Sequence, residues 1–478
     1  MKNKLLTLLI GILLFGSSIM VVLAEPPEKP PGDGMGGFGD SNVTHVGNTT
    51  INSETTLENQ TYTSSTGGEN ALLVENANVT LKNPTITKSG DESSENSDFY
   101  GTNAGVFVYS NGVLNINGGT ITTDGAHANG VFSYDTGTIN ISNTKINTSN
   151  NNSGGIMVTG GGKLNATNLT VETKGNSSAA IRSDRGGGDL VVNKGTYKTS
   201  GQGSPAIYST AKISVTDATL ESTSSEGVVV EGANSISLNK VKLIDTNNTL
   251  NGNSETYKNI FLYQSMSGDA DEGTALFTAK DSTITTNKGD TIFVTNTTAT
   301  ISLENNTITN KDGDFLRIQA GKWGNSGSNG GKVSLNLSKQ KVEGNIIVDS
   351  ISSLNLDLSD NSVYQGIINK DNTASNLSIT IDKNSVIVLN GDSYISSLEN
   401  EDNTNSNIYL NGYKLIVGGK EVSANTGKYG ENKTKKEVKT TNTINYIPII
   451  ITIVSILLVI SIVILIIFIK NRKNNKML

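Results

Sequence analysis

Two short segments place carboxylates beside an arginine, a combination that could serve acid–base chemistry. The residues are Asp184, Arg185 and Asp189 in SDRGGGD, and Asp312, Asp314 and Arg317 in KDGDFLR. Asp and Gly are also the residues that tight turns favour, so a solvated turn is the alternative at both places. The acidic loop 268–273 (GDADEG) could hold calcium loosely, but it lacks the spacing of a calcium-binding loop.

Other common catalytic side chains are scarce. The chain has two histidines, His45 and His127, and no cysteine. His127 stands in TDGAHANG, where a turn is expected, so histidine-based catalysis and Cys- or His-ligated metals are not predicted. The formal charge of -7 is spread along the chain, which excludes a basic nucleic-acid footprint. We therefore predict a protein that is not an enzyme, has no cofactor and no metal, and does not bind nucleic acid.

The two ends of the chain carry targeting signals. Residues 1–24 combine a basic start, an apolar run and a small-residue cleavage site, which predicts a signal peptide. Residues 447–469 are uncharged and apolar, long enough for a transmembrane helix, and the basic tail 470–478 follows. A Pro/Gly-rich linker (25–40) and a polar stalk (426–446) flank the body of the chain. These signals predict a single-pass cell-membrane protein with an extracellular N-terminal ectodomain and a cytoplasmic C-terminus.

Between the linkers the chain repeats. The template x-Φ-x-Φ-x-x-x-[TK]-Φ, where Φ is apolar, fits nine segments beginning with NVTLKNPTI (78–86) and ending with TISLENNTI (300–308). Starts from 113 to 235 are 25, 25, 26, 23 and 23 residues apart, and larger gaps elsewhere are attributed to polar insertions at 88–98 and 247–257. A second short strand precedes each template, as in GVFV (105–108) and AIYS (206–209). Short strands at this period predict an all-β fold, a right-handed parallel β-helix of about 15 coils over residues 41–425.

The coil template, the GV or AI strand before it and the segment 379–419 (ITIDKNSVIV…YKLIVGG) are similar to secreted β-helix proteins of the pectate-lyase-like superfamily. The resemblance is to adhesin-like and autotransporter-passenger-like members and covers roughly residues 41–420. It is specific for architecture and weak for activity, because the superfamily includes lyases, glycosidases, adhesins and polysaccharide-binding proteins. A lyase of this kind would group several Asp around calcium beside an Arg or Lys. The chain departs from true autotransporters because no C-terminal translocator barrel is predicted. Its single predicted transmembrane helix, with no cell-wall sorting signal ahead of it, indicates a one-membrane cell surface, bacterial or archaeal.

Alternation along the second strand places one residue of each coil on the outside. The opposite orientation would bury Arg182 and Asp184, which is unfavourable. The outward set forms a candidate ligand-binding stripe on the lateral face: Phe107, Phe132, Met157, Arg182, Tyr208, Phe261 and Phe293. Aromatic faces suit sugar rings, unless an insertion or the N-terminal segment covers the stripe.

Asn is abundant at one template position, for example Asn143, Asn168 and Asn305, which predicts a ladder of side chains bonded along the stack. The function predicted from these features is a non-catalytic, adhesin-like surface protein whose β-helix binds polysaccharide, or the glycans of a host or neighbouring cell. Two alternatives stay open, a polysaccharide lyase or hydrolase of the same fold and a self-associating surface-layer component.

Overall fold

Each nine-residue template forms two short strands that meet at a sharp corner. The corner residue is the sixth of the template, and its backbone is left-handed, with φ of 54° at Asn143, 55° at Asn168 and 58° at Asp217. Asn and Asp tolerate this conformation better than other residues with a Cβ, and Gly118 occupies the same corner in the coil before Asn143. Asn, Asp and Gly therefore favour the bend in most coils, while Lys194, Lys240 and Lys339 adopt the same left-handed backbone in three others.

The computed structural model describes residues 43–251, 254–265 and 267–430. Successive coils stack through parallel pairing, so that the three strands of a coil contribute to three faces of a solenoid. The predicted parallel β-solenoid of about 15 turns is confirmed. The predicted signal peptide, linker 25–40, transmembrane segment and basic tail lie outside the described residues, as does most of the stalk. Within the described part of the chain, no helix is long and apolar enough to span a membrane.

Face 1 is a 12-stranded parallel sheet. Its strands are Gly47–Ile51, Asn70–Glu75, Val106–Tyr109, Val131–Tyr134, Ile156–Thr159, Ile181–Ser183, Ile207–Ser209, Val228–Glu231, Lys258–Tyr263, Asp290–Thr295, Leu316–Ile318 and Ile346–Val348. Near the end of the rod a small three-stranded sheet follows, built from Ser393–Ile395, Leu415–Val417 and Lys420–Glu421.

Face 2 carries the first strand of each template and belongs to a 22-stranded sheet. Its strands are Thr55–Glu58, Asn78–Lys82, Val113–Asn117, Thr138–Ser142, Gly162–Thr173, Gly188–Thr199, Lys212–Thr216, Ser235–Asn239, Thr274–Lys280, Thr298–Glu304, Lys332–Ser338, Ser353–Ser359, Asn376–Ile381 and Ser397–Asn400. The two 12-residue strands run through the corner and also supply face 3.

Face 3 carries the second strand of each template. In the 22-stranded sheet it comprises Thr61–Ser64, Thr85–Lys88, Thr120–Thr123, Lys145–Thr148, Thr219–Ser222, Lys242–Asp245, Thr283–Thr286 and Thr307–Asn310. A separate four-stranded sheet follows, with Lys341–Glu343, Val363–Gly366, Val386–Leu389 and Ile408–Tyr409.

The interior of the solenoid is a continuous apolar core. Residues that the alternation places inward, such as Ile139, Ile141 and Ile146, are fully buried. They stack on equivalent residues one coil away, so Ile139 pairs with Leu114 on one side and Leu164 on the other. Stability in such a stack comes from each coil and its two neighbours.

A buried polar row closes the corner between faces 3 and 1. Thr123, Thr148, Thr173 and Thr199 pair in register, and the Thr148 hydroxyl donates to the Ser153 carbonyl at 2.6 Å. Lys88, assigned from sequence to an insertion, belongs to this row and is fully buried. Its ammonium donates to the carbonyls of nearby turns, including Thr66 at 2.9 Å, and burial lowers its pKa. The insertion of this coil therefore starts after Lys88 and includes the helix Asn96–Phe99.

Candidate functional site

The residues of the predicted stripe form one row on face 1. The parallel register joins Phe107 to Phe132, Phe132 to Met157, and Met157 to Arg182. The row continues through Tyr208, Val229, Phe261, Phe293 and Arg317. Its apolar members pack in two clusters separate from the interior core, so their predicted outward direction is correct. The expected exposure is wrong, because insertions cover the row.

The first cluster lies beneath the insertion that follows Lys88 and beneath the N-terminal segment. Phe107, Phe132 and Met157 are each 0% exposed. The imidazole of His45 stacks on Phe107 with ring centroids 4.5 Å apart, and burial lowers the pKa of His45 to about 4. Gly101 of the insertion lies so close to Phe107 that a Cβ there would collide with the ring. This part of the predicted stripe is closed to ligands in the described structure.

The second cluster lies further along the row and has a different cover. Phe261 and Phe293 are 8% and 5% exposed and pack with Tyr263 and the partly buried Trp323, the only tryptophan in the chain. The cavity between them and Trp323 has a volume of about 30 Å³, which is room for about one water. Sequence reasoning missed Trp323 because it lies in an insertion after a face-1 strand, outside the repeat. The presence of a single tryptophan in the chain, outside the repeat, was the signal in the sequence that could have identified it.

A buried acid–base cluster, comprising Asp98, His127, Arg182 and Asp184, lies between the two aromatic clusters. Asp98 Oδ2 lies 2.8 Å from His127 Nδ1, and Asp98 Oδ1 lies 3.7 Å from Arg182 Nη1. Arg182 Nη2 donates to Asp184 Oδ2 at 3.0 Å. The side chains of Arg182 and Asp184 are only 12% and 6% exposed. Both residues were expected to be exposed on the outer side of the strand. This expectation is wrong, because the insertion that carries Asp98 covers them.

Charge in this cluster is balanced by pairing. Burial raises the pKa of Asp184 to about 6, against the opposing effect of Arg182, so the carboxylate is ionised at neutral pH. Burial would lower the pKa of Arg182, but Asp98 and Asp184 outweigh it and the net shift is upward. The Arg182–Asp184 ion pair is therefore held beneath the insertion that carries Asp98, and Asp184 could exchange a proton at mildly acidic pH.

Arg185 and Asp269 extend the cluster towards solvent. Arg185 Nε lies 2.5 Å from Asp269 Oδ1, which joins the segment SDRGGGD to the acidic loop 268–273. The Arg185 guanidinium also lies over the Phe99 ring, 3.8 Å from its centroid. Asp189, the third residue of the predicted set, lies instead on a face-2 strand and pairs in register with Lys163 and Lys212. The structure thus brings together Asp184, Arg185 and the acidic loop and leaves Asp189 apart.

The second predicted set forms an ion-pair network at the far end of the row. Arg317 Nε lies 2.6 Å from Asp290 Oδ2, and Arg317 Nη2 lies 2.5 Å from Asp314 Oδ2. Asn345 Nδ2 donates to the other oxygen of Asp314 at 3.1 Å. Asp312 is an exposed turn residue outside the network. Among the described residues, no group of three or more His, Cys, Asp or Glu is arranged to hold a metal ion.

Comparison with protein-family models, curated proteins and solved structures finds no match to this chain.

Face 2 is open along its length. Its central outward row is Thr80, Asn115, Asn140, Asn165, Val191, Ser214, Ser237, Thr278, Ser302, Asn336, Asp357, Thr380 and Glu399. None of these residues is buried. Parallel pairing repeats the row at steps of ~4.8 Å, so the face presents amide and hydroxyl groups at a regular spacing, except at Val191, Asp357 and Glu399.

Asparagine side chains on face 2 and at its corner bond along the stack. Asn140 Nδ2 donates to Asn115 Oδ1 at 2.9 Å, and Asn165 Nδ2 donates to Asn140 Oδ1 at 2.9 Å. At the corner, Asn168 Nδ2 donates to Asn143 Oδ1 at 2.8 Å, which confirms the predicted ladder for this pair. Asn305, also predicted in the ladder, donates to Asp281 instead, at 2.6 Å. Asn140 and Asn165 each keep one N–H beyond this bond that can serve a ligand, whereas Asn115 Nδ2 donates to both Asn78 Oδ1 and the Val79 carbonyl.

Proposed function

We propose that this protein is a non-catalytic, adhesin-like surface rod that binds polysaccharide, or glycans of a neighbouring or host cell, through its lateral face. The observation that supports the proposal is the uncovered amide and hydroxyl row of face 2. A polymer with repeated hydroxyl groups can exchange hydrogen bonds with such a row over many coils, and the weak contacts add up because the rod is rigid.

Face 1 is a poorer candidate for this binding. Its aromatic residues already contact their own insertions, and its arginines are paired with carboxylates. A glycan on face 1 would have to displace packed side chains, and that displacement would consume most of the binding energy. The proposed lateral binding site is therefore on face 2 and not on the aromatic stripe of face 1.

The cellular setting is also part of the proposal. The signal peptide, stalk and transmembrane segment predicted from sequence would place the rod outside a single-membrane cell, anchored at its C-terminal end. We infer a right-handed solenoid because parallel strands of one sheet are joined by right-handed crossovers in nearly all proteins. The likeness of the repeat to the pectate-lyase-like superfamily supports this handedness and the adhesin-like role.

The test is a binding screen of the full-length protein in detergent against insoluble and bead-coupled polysaccharides, with analysis of soluble products. The variant Asn115→Ala/Asn140→Ala/Asn165→Ala removes the amide row from three consecutive coils. We expect it to lose at least about tenfold in affinity, equivalent to ~1.4 kcal/mol, because several hydrogen bonds are lost together. No polymer breakdown is expected.

The matched control is Thr85→Ala/Thr120→Ala/Thr170→Ala, which changes three exposed residues on face 3. Its affinity should stay within about twofold of the unchanged protein. Equal losses in both variants, or no binding to any polysaccharide, would refute the proposal. Concentration-dependent assembly without glycan binding would instead favour the self-associating surface-layer alternative.

One observation favours the enzymatic alternative, a polysaccharide lyase or hydrolase. Asp184, with its pKa raised to about 6, lies beside Arg182 on the outer side of a solenoid sheet, and its protonation state changes near neutral pH. If this alternative is correct, product analysis will show polymer cleavage that Asp184→Asn abolishes. Asp189→Asn, which changes the same segment on face 2, should retain the cleavage. If the protein with its native Asp184 leaves every screened polymer intact, the enzymatic alternative is excluded for those polymers.

A further inference from the structure

A cavity near the C-terminal end of the described rod differs from the rest of the surface. It has a volume of about 360 Å³ and is lined by Leu389, Asn390, Asn411, Tyr413, Lys428 and Tyr429. This volume lies at the lower end of the range, ~300–1,000 Å³, that small-molecule sites occupy. A single sugar ring fits in that space, whereas the cavity beneath Trp323 holds about one water.

The aromatic wall of this cavity is unusual for this protein. Tyr413 is 43% exposed, and among the described residues it is the aromatic side chain that stands most open to solvent. Tyr429 also lines the cavity and is held by an edge contact with Tyr409, with ring centroids 5.1 Å apart. On face 1 the aromatic rings are covered by insertions, but here a tyrosine ring lies at the mouth of a cavity. Such a ring offers a flat apolar surface with a hydroxyl at its edge.

Polar groups of fixed orientation lie beside the rings. Asn411 Nδ2 donates to the Leu389 carbonyl at 3.0 Å, which fixes the plane of the amide. Asn411 Oδ1 is buried and has no hydrogen-bond partner among the described residues. A buried acceptor of this kind is costly unless a ligand or water donates to it. Asn390, whose Oδ1 accepts from Gln365 at 3.4 Å, supplies a second amide at the rim.

The local backbone explains why these groups stay in place. Asn411 has a left-handed backbone, with φ of 53°, in the turn after the strand Ile408–Tyr409. The chain then returns beside this strand, since Leu410 N donates to Asn425 O and Asn425 N donates to Ile408 O. This last rung carries Tyr429 to the cavity. The site is therefore built from three consecutive levels of the solenoid and does not depend on one flexible loop.

We propose that this cavity is a subsite for one pyranose residue of a polysaccharide, which stacks on Tyr413 and hydrogen-bonds to the amides of Asn390 and Asn411 that line the cavity. The combination of an exposed ring and an orphaned, oriented amide is the chemistry that binds a sugar, with its apolar C–H face and polar edge. The subsite rests on the proposed carbohydrate-binding function. It lies at the corner between face 3 and the small three-stranded sheet, in the last levels of the described rod, and is separate from the amide row of face 2.

The experiment is calorimetric titration of the full-length protein in detergent with two defined probes, chitohexaose and hexagalacturonate. We expect one of them to bind, and Tyr413→Ala to weaken that binding at least about tenfold, while Tyr413→Phe, which keeps the ring, stays within about threefold. Asn411→Gly keeps the left-handed backbone but removes the amide, and should weaken binding about fivefold or more. Tyr257→Ala, a change at a partly exposed tyrosine remote from the cavity, is the control and should have no effect.

Thermal unfolding of each variant checks that the fold is intact. Binding that is unaffected by Tyr413→Ala, or the absence of binding to both hexasaccharides, would overturn the subsite. The proposed function fails separately: if polysaccharides are still captured and the Asn115/Asn140/Asn165 variant loses them, face 2 binds glycan without this subsite. If Tyr413→Ala loses hexasaccharide binding while the face-2 variant captures polysaccharides as well as the unchanged protein, the subsite is supported and the face-2 site is refuted.

Discussion

Faces 1 and 2 have the same strand geometry and different surfaces. On face 1 the outward row is large and apolar or charged, and insertions between coils cover it, so Phe107 and Phe132 are completely buried. On face 2 the outward row is polar except for Val191, and it remains open. The insertions lie at the corners where face 1 joins faces 2 and 3. They are tolerated because the chain leaves the stack there and then returns, so that the face-1 strands keep their pairing register.

The difference shows how a repetitive rod acquires non-repetitive chemistry. Face 2 repeats one kind of contact at each coil, which suits a long ligand. Face 1 brings residues from different coils and insertions under one cover, where burial can shift a pKa, as it does for Asp184. Substitutions at three positions test this contrast, beginning with the largest expected effect.

Removing Asp98 should open the cover of face 1. In Asp98→Ala, Arg182 and His127 lose the carboxylate that joins them to the insertion, and breaking a buried ion pair costs about 3–5 kcal/mol. Hydrogen exchange in residues 94–104 should accelerate by roughly a hundredfold or more, whereas the face-2 strand Thr138–Ser142 should stay protected. Asp124→Ala, at an exposed site near His127, is the control. Unchanged exchange would mean that apolar packing alone holds the cover.

The pH dependence of stability should also differ between the faces. The pKa of Asp184 is raised to about 6 in the folded protein, above its usual value in an unfolded chain, so the folded state binds the proton more tightly. Its contribution to the free energy of unfolding therefore rises as pH falls from about 6 to about 4, by up to ~3 kcal/mol, and is absent above that window. The difference in unfolding free energy between the unchanged protein and Asp184→Asn, measured by denaturant titration, should grow in favour of the unchanged protein as pH falls. A difference independent of pH would show that Asp184 titrates normally.

The corner ladder beside face 2 should give the smallest effect. Asn143→Gly loses the side-chain bonds to Asn117 and Asn168 but keeps the left-handed backbone, at a cost of about 1 kcal/mol. Asn143→Ala also forces a residue with a Cβ into that conformation, which adds about 1 kcal/mol. The free energy of unfolding measured by denaturant titration should therefore be higher for Asn143→Gly than for Asn143→Ala. The reverse order would mean that the corner is not strained.

The repeat explains how much could be predicted from sequence. Inward residues such as Ile139 and Ile141 alternate with polar ones at period two, and that pattern alone determines which side chains enter the core. The same alternation gave the outward direction of Phe107 and Phe261 correctly. Both results depend only on strand geometry, which is local.

The covering of face 1 could not be predicted in this way. Asp98 and Trp323 lie in insertions that have no counterpart in other coils, and nothing in their own segments indicates which row they contact. The cavity beside Tyr413 likewise depends on the return of the chain at Asn425, which is 117 residues beyond the last template segment (300–308). Contacts between an insertion and a distant coil, such as the Thr159 hydroxyl bond to the Phe99 carbonyl, are long-range and carry no periodic signal.

The left-handed corner residue, found at the same place in coil after coil, has a consequence for how this rod can change in length. Since each coil begins and ends in the same backbone state, one repeat of 23–26 residues can be duplicated or deleted without altering the pairing of those that remain. The number of repeats then determines the length of the rod. It would set how far a site such as the cavity at Tyr413 lies from the opposite tip, and copy number could vary between related chains while the chemistry of each site stays the same.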